Sequence, residues 1–267
     1  MTPPDTAQRV PSLAWRGQFQ EQARIVAEET PVAFTYNRLS HAVMMATPAN
    51  LEDFAIGFSL TERIVSSADQ IEDLDIVAAE GGIECRMWLA GERLQALEDR
   101  KRSLAGPTGC GLCGLESLQQ AVRPPPVVTS DLVLDASSVQ AGMAAMQDLQ
   151  YLNQRTRAVH AAAFARPGEP ILTLREDVGR HNALDKLAGA LARASIDGGS
   201  GMLLMTSRIS VELVQKAAAI GAPALCAISA PTRLAIELAQ SAGITLIGVV
   251  RPDGFEVFTH PERIQRS

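Results

Sequence analysis

The sequence predicts a small α+β unit followed by a larger α/β unit. The chain has 267 residues, 46% of them hydrophobic, which is enough for one large core or two smaller ones. Aromatic residues make up only 4%, which favours α/β or α+β layers over an aromatic-rich β-sandwich. The second half alternates short apolar runs with helix-like segments, a pattern typical of a sheet that is buried on both faces.

The first part of the chain begins with residues 1–18, which are Pro-rich and polar and are expected to be flexible. They contain no apolar run resembling the core of a signal peptide. Residues 19–99 are predicted to form the small α+β domain. Its strands are expected at residues 32–36, 42–46, 75–79 and 83–89, with a helix that starts after Thr47 and ends near Val65.

Residues 100–126 are predicted to be a mobile loop, a short helix and a linker. The segment begins with basic residues, carries Cys110 and Cys113, and ends in three consecutive prolines. A helix is expected at residues 115–122, and the prolines would stop it.

Residues 127–267 are predicted to form the α/β domain, and its strands after residue 200, which alternate with helices, are predicted to be parallel with right-handed crossovers. The strands are expected at residues 159–165, 171–174, 202–205, 224–228 and 244–250. The helices are expected at residues 138–152, 182–194, 211–220 and 232–242.

Charge and hydropathy exclude some functions and indicate a compartment. The net charge of −6 argues against broad nucleic-acid binding, which depends on many cationic contacts. No segment reaches the roughly 20 apolar residues of a membrane span, so the sequence predicts a cytoplasmic protein without membrane association. Cysteines are normally reduced there, which makes a close pair catalytic or metal-binding rather than a structural disulfide.

Cys110 and Cys113 could be half of a zinc site, a redox pair or a sulfur-relay site. A closed zinc site needs two more ligands, but Cys85 and Cys226 lie in apolar strand-like runs and the four histidines are scattered. We therefore predict no zinc. A thioredoxin-like pair should open a helix after a first strand, so the redox hypothesis is weaker. The basic residues nearby and the following helix would favour a thiolate, or a persulfide, at this position.

Two polar clusters follow predicted strands, where open α/β sheets bind ligands. The first contains Asp177, Arg180, His181 and Asp185. These side chains could position an anion or a proton-transfer group, or they could simply cap a helix and form exposed charge pairs along it. The second comprises the turns with Arg208, Ser229, Thr232 and Arg233. These side chains could be helix N-caps, or they could hold phosphates together with the helix N-termini. No Walker or Gly-x-Gly-x-x-Gly loop is present.

Several long motifs together resemble the FdhD family of sulfur-carrier accessory proteins of formate dehydrogenase. The motifs are Ser40-His41-Ala42-Val43-Met44-Met45-Ala46-Thr47-Pro48, Cys110-Gly111-Leu112-Cys113-Gly114, His160-Ala161-Ala162, Glu176-Asp177-Val178-Gly179-Arg180-His181-Asn182-Ala183-Leu184-Asp185-Lys186 and Ser229-Ala230-Pro231-Thr232. The resemblance covers roughly residues 29–264. Two positions depart from the family pattern: Thr156-Arg157-Ala158 replaces an expected Thr-Gly-Gly, and Ser207-Arg208 replaces Gly-Arg.

The resemblance implies a cytoplasmic sulfurtransferase. It would accept persulfide sulfur from a cysteine desulfurase and transfer it to the molybdenum bis(guanine dinucleotide) cofactor, bound as a substrate, for the formate dehydrogenase catalytic subunit. The persulfide would form on Cys110, with Cys113 assisting. A GDP-like nucleotide would mimic the cofactor, whose binding residues are expected to include Val249, Val250, Arg251, Pro252, Asp253, Gly254, Ser229, Thr232, Arg208, Arg180 and His181.

The resemblance also implies a fold and an assembly. The second domain is expected to be a three-layer α/β/α domain like cytidine deaminase, without that enzyme's zinc chemistry, because His160-Ala161-Ala162 lacks the required glutamate. A homodimer is expected. Two alternatives stay open: a non-catalytic cofactor-binding chaperone of formate dehydrogenase, and a nucleotide-binding thiol redox regulator.

Overall fold

A computed structural model of the chain describes residues 4–91 and 124–265. Within those ranges the strands form sheets of two, four and six strands. Cys110, Cys113, the helix predicted at 115–122 and most of the loop predicted at 100–126 lie outside the described residues. The predictions about them therefore stay predictions.

The N-terminal residues form a β-hairpin, which the sequence did not predict when it assigned residues 1–18 to a flexible N-terminus. Strand β1 (Ala7–Trp15) pairs antiparallel with β2 (Phe19–Ala27) along nine positions. Gly17 closes the turn at a φ of 80°, which glycine adopts without strain. The sequence pattern missed the hairpin because neither of its faces is covered by a core, and most of its residues, apolar ones such as Trp15 and Phe19 included, are exposed.

The four-stranded sheet confirms the strands expected in the small α+β unit. Its order is β4-β3-β6-β5, and helix α1 (Leu51–Thr61) packs on it through Phe54 and Phe58, whose rings contact Phe34. The helix ends before the expected Val65. The reason is that Arg63 takes a left-handed φ of 58° and the Ile64 amide bonds back to Ser59, which terminates the helix. The strands are β3 (Thr30–Tyr36), β4 (Leu39–Ala46), β5 (Ile71–Ala79) and β6 (Gly82–Leu89).

The six-stranded sheet has the order β12-β11-β10-β9-β7-β8. Its strands are β7 (His160–Ala165), β8 (Ile171–Asp177), β9 (Met202–Met205), β10 (Ala224–Ala227), β11 (Thr245–Arg251) and β12 (Gly254–Val257). The central strands β9, β10 and β11 are parallel, as predicted. The flanking strands β7, β8 and β12 pair antiparallel, which the prediction of parallel strands did not include.

Helices cover both faces of this sheet, as the apolar strands predicted. On one face pack α4 (Arg180–Arg193), α5 (Val211–Ile220) and α6 (Arg233–Ala242), and on the other packs α2 (Ala136–Leu149). The single helix predicted at 138–152 is two helices, because Gln150 leaves helical geometry (φ −85°, ψ 67°) and α3 (Tyr151–Thr156) follows. The mixed α and β composition agrees with the predicted class, whereas the specific resemblance to cytidine deaminase stays a prediction.

The two units meet where α1 crosses α4. A methyl group added at Gly57 would lie 1.7 Å from the Asp185 carbonyl oxygen, and one at Gly189 would lie 1.9 Å from that of Asp53. Two glycines therefore let the helix backbones touch. Such a close approach holds the first unit firmly against the second.

Candidate functional site

One edge of the six-stranded sheet gathers the polar turns that the sequence singled out. The parallel strands β9, β10 and β11 all end at this edge. Strand β7 runs antiparallel to β9, so its first residue, His160, lies at the same edge and faces Asp177 at the end of β8. Ligands of open α/β sheets bind at the carboxyl ends of parallel strands.

Backbone contacts join the turns after β9, β10 and β11 into one surface. Ile209 and Pro231 form a parallel bridge, and the Thr232 amide donates to the Ile209 carbonyl at 3.0 Å. The Val249 amide approaches the Ser229 carbonyl at 3.4 Å. We call this surface, built from residues 206–210, 228–232 and 249–254, the turn surface. It brings together the turns with Arg208, Ser229 and Thr232 and the segment 249–254, which the family resemblance implies to be cofactor-binding.

The hydroxyl of Thr232 is a helix N-cap, the simpler of the two readings that the sequence left open. Its Oγ1 accepts from the Ala235 amide at 3.3 Å. Arg233 forms an i,i+4 ion pair with Glu237 at 2.7 Å. Arg208 is exposed and makes no ion pair with any described residue, so its guanidinium can take an anion.

The segment from Val249 to Gly254 departs from regular strand geometry. Val249 has a φ of 53°, a left-handed conformation that a β-branched residue rarely adopts, and the pairing of β11 with β12 shifts register beside it. Backbone strain of this kind is often found at functional sites. Val250 turns into the core, whereas Arg251, Pro252 and Asp253 are exposed. Arg251 donates to the backbone carbonyls of Ile228 and Val250.

Positive side chains extend the turn surface toward the start of α4. His181 Nε2 lies 3.0 Å from Glu212 Oε2, and this contact lowers the pKa of Glu212 to about 2. The Nε of Arg180 is buried and finds no hydrogen-bond partner among the residues that the structure describes. His160 is half-buried, and its pKa is lowered first by that burial and then by the charges of Arg180 and His181. The lowered pKa favours the neutral form of His160, which leaves Arg180 as the permanent positive charge beside it.

Sequence reasoning left His160 out of the site residues, although it quoted the motif that contains it. The residue was missed because its neighbour in space, Arg180, is twenty positions away in the chain. The antiparallel pairing of β7 with β8 brings them together. The signal in the sequence was a polar residue at the start of an otherwise apolar strand.

Asp177 and Asp185, which the sequence grouped with Arg180 and His181, are buried in ion pairs and are not part of the exposed turn surface. Asp177 Oδ2 is 2.6 Å from the ammonium of Lys186, and both side chains are fully buried. Lys186 also donates to the Thr47 carbonyl at 2.7 Å, and the Thr47 amide donates to Asp177 at 3.0 Å. Asp185 is buried against Lys216 at 2.9 Å. These carboxylates hold the two units together and do not face the turn surface.

The structure also places the two other cysteines. Cys85 and Cys226 are fully buried, and burial raises the pKa of each thiol to about 12. Neither forms a thiolate near neutral pH. Within residues 4–91 and 124–265, no group of three or more His, Cys, Asp or Glu side chains lies close enough together to hold a metal ion. In the same ranges no helix is both long and apolar enough to cross a membrane.

Fold and site define a class: a two-unit α+β protein with a cationic surface at the carboxyl edge of its larger sheet. The FdhD/NarQ family model matches residues 27–265, so the chain belongs to that family. The predicted family is thus confirmed.

Relatives and a solved structure support the same family. The chain is 53% identical to the sulfur carrier protein FdhD of Cupriavidus necator, covering 94% of this chain and 88% of the relative. It is 52% identical to that of Agrobacterium fabrum, covering 90% and 89%. The crystal structure of a formate dehydrogenase accessory protein from Desulfotalea psychrophila aligns with a TM-score of 0.78 at 25% identity, covering 97% of this chain and all of that one.

Proposed function

We propose that the protein is a sulfur carrier that works through a persulfide on Cys110. Sulfur would come from a cysteine desulfurase and go to the molybdenum bis(guanine dinucleotide) cofactor, the substrate, for the formate dehydrogenase catalytic subunit. The proposed setting is the cytoplasm, and the proposed assembly is a homodimer. The names of the relatives support a sulfur carrier, and the solved relative supports the link to formate dehydrogenase.

The observation that carries the proposal is the state of the cysteines. The chain has four, and two of them, Cys85 and Cys226, are buried thiols with a pKa of about 12. Because a thiolate is the reactive form of cysteine, these two are unsuited to accept sulfur. Cys110 and Cys113 are the two that remain.

The proposed step is an exchange between sulfur atoms with no net oxidation. The Cys110 thiolate attacks the outer sulfur of the donor persulfide, a new sulfur–sulfur bond forms, and the donor cysteine leaves as a thiolate. The outer sulfur then passes to the cofactor. This second transfer does change oxidation states: Cys113 would attack the inner sulfur, the outer sulfur would leave as sulfide, and the two cysteines would be oxidised to a disulfide. A dithiol reductant would then restore the pair by thiol–disulfide exchange.

Substituting Cys110 by alanine should abolish most of the protein-bound persulfide that forms on incubation with a cysteine desulfurase and cysteine. Intact-mass spectrometry measures the added mass of one sulfur atom, about 32 Da. The matched control is Cys226→Ala, which removes a buried thiol and should leave the yield unchanged. An unchanged yield in Cys110→Ala would refute the assignment.

The turn surface is the proposed platform for the guanine dinucleotides. Helix N-termini and cationic side chains favour phosphate, and Arg180, His181, Arg208 and Arg251 are all near this edge. A GDP soak tests the placement directly. Density along residues 229–233 and 249–254 supports the proposal, and density elsewhere contradicts it.

Arg208→Ala should weaken GDP binding about tenfold, the loss expected for one charge-assisted hydrogen bond to phosphate. Arg233→Ala is the control because Arg233 is already paired with Glu237, and we expect less than a threefold change. Isothermal titration calorimetry measures both. Equal effects of the two substitutions would show that Arg208 has no special place in the site.

The same variants separate the two alternative functions. A cofactor-binding chaperone predicts that a Cys110→Ala, Cys113→Ala double variant still supports formate dehydrogenase activity. A thiol redox regulator predicts a reversible disulfide with a measurable potential and no sulfur transfer.

A further inference from the structure

Thr47 belongs to the smaller unit, but its amide, hydroxyl and carbonyl groups all bond to the larger one. Its amide donates to Asp177 Oδ2 at 3.0 Å, and its hydroxyl oxygen accepts from the Val178 amide at 3.1 Å. Its carbonyl oxygen accepts from the Lys186 ammonium at 2.7 Å. Thr47 is only 1% exposed, and hydrogen bonds that are shielded from water in this way are strong. One residue of the smaller unit therefore fixes three points around the start of α4.

The start of α4 needs this support because its N-cap residue cannot cap it. That residue is Gly179, which has no side chain to accept from the amides of the first turn. Asp177 supplies an acceptor instead: its Oδ1 accepts from the Gly179 amide at 2.8 Å and from Asn182 Nδ2 at 2.9 Å. Because the other oxygen of the same carboxylate accepts from the Thr47 amide, Thr47 orients the group that replaces the missing cap.

A second contact from the smaller unit reaches the same turn. Asn182 Nδ2 also donates to the carbonyl of Met45, two residues before Thr47, at 2.8 Å. The end of β4 and the residues just after it thus bond both to the backbone before α4 and to a side chain of its first turn. The position of this helix start is decided by the smaller unit.

Two residues expected to hold the cofactor follow directly on this turn. Arg180 and His181 are the first two residues of α4, so a shift of the turn would move both side chains relative to the turn surface. Small displacements of binding groups are costly because charge-assisted hydrogen bonds to phosphate depend on direction and distance. Thr47 itself is buried and cannot touch a ligand on the exposed turn surface. Its effect on a ligand must pass through the turn.

We propose that Thr47 is a positioning residue for the nucleotide site, that is, the turn surface together with Arg180 and His181. It holds the start of α4 where these two side chains reach the phosphates. The inference rests on the proposed platform for the guanine dinucleotides. It adds that the smaller unit sets the affinity of the larger unit for its ligand. Because coupling between two sites is reciprocal, the bound ligand also tightens the contact between the units at Thr47.

Thr47→Val tests the hydroxyl group. The substitution keeps the branched shape of the side chain but leaves the Val178 amide without its acceptor. We expect the affinity for GDP to fall by about fivefold or more, the lower end of the range for coupled sites. Thr47→Ser keeps the hydroxyl and should bind GDP within about twofold of the wild type. Isothermal titration calorimetry of the full chain, well below the unfolding midpoint of each variant, measures the affinity of folded protein.

Thr61→Val is the matched control for a general loosening of the interface. Thr61 is also a buried residue of the smaller unit, 5% exposed, and its hydroxyl donates to Asp185 Oδ1 at 2.5 Å across the same interface. Asp185 lies further along α4 and not in the turn that precedes Arg180. Thr61→Val should therefore lower the midpoint of thermal unfolding, as Thr47→Val should, but change the affinity for GDP by less than about twofold, as expected for independent sites.

Hydrogen exchange measures the reciprocal effect. In the wild type, saturating GDP should slow amide exchange at residues 46–50, because the Thr47 amide is bonded to Asp177 at the supported turn. The same slowing should occur in Thr61→Val and should be smaller in Thr47→Val. Equal exchange at these residues with and without bound GDP would contradict the coupling.

The affinities have equally definite outcomes. Unchanged affinity in Thr47→Val, or equal losses in Thr47→Val and Thr61→Val, would overturn the proposal, because Thr47 would then support only the fold. A Thr47→Ser variant as weak as Thr47→Val would also overturn it, since the methyl group and not the hydroxyl would carry the effect. If the wild type does not bind GDP, the proposed platform is wrong and this inference falls with it. Wild-type binding that Thr47→Val leaves intact removes this inference alone.

Discussion

Lys186→Met should lower the free energy of unfolding by about 3–5 kcal/mol, the cost of breaking a buried ion pair from one side. Methionine keeps the length of the lysine side chain but removes its charge. The Asp177 carboxylate would then stay buried with backbone and amide donors only, from Thr47, Gly179 and Asn182. Urea denaturation followed by circular dichroism measures the change.

The control for this prediction is Arg233→Met, which breaks the exposed pair with Glu237 and should cost at most about 1 kcal/mol. The double variant Lys186→Met, Asp177→Asn should recover part of the loss, because it removes the uncompensated charge. If Lys186→Met lowered the free energy of unfolding by less than about 1 kcal/mol, water would reach Asp177 and the ion pair would not stabilise the fold as a buried pair.

This pair also connects the two units of the fold. Lys186 and Asp177 belong to the larger unit, whereas Thr47, which bonds to both, precedes α1 in the smaller one. Breaking the pair should therefore increase hydrogen exchange in α1 as well as in α4. The turn surface depends on the same segment, since Arg180 and His181 begin the helix that carries Lys186.

Gly189→Ala is the second substitution with a large expected effect. Alanine favours a helix over glycine by about 1 kcal/mol, so propensity alone predicts stabilisation. The added methyl group, however, would lie 1.9 Å from the Asp53 carbonyl oxygen on α1. Backbone cannot move aside as a side chain can, so the helices must separate. We expect a cost of about 3 kcal/mol or more, which exceeds the gain in propensity.

Thermal unfolding of Gly189→Ala should therefore show a clear fall in the midpoint. Gly254→Ala is the matched control, because a methyl group there meets nothing within 4 Å and the backbone φ is not left-handed. It should leave the midpoint nearly unchanged. Stabilisation of the protein by Gly189→Ala would mean that α1 and α4 are not in backbone contact.

The kinds and order of most elements followed from the sequence because apolar periodicity is a local property. The four strands around α1 and the helix and strand alternation after residue 200 were predicted correctly on this basis. The N-terminal hairpin was missed for the same physical reason. It has no buried face, and its cross-strand pairing leaves no apolar pattern.

The motif from Glu176 to Lys186 shows what only the tertiary structure decided. By itself the sequence determined that this dense polar turn follows a strand and begins a helix, and that the cysteine pair is the chain's chemically distinctive feature. The sequence could not show which charged side chains of the motif are buried and which lie at the surface. That depends on contacts with residues far away in the chain. Asp177 and Lys186 are buried against Thr47, whereas Arg180 and His181 face His160 and Glu212. Burial and pairing are properties of contacts between distant segments, and only the packed fold supplies them.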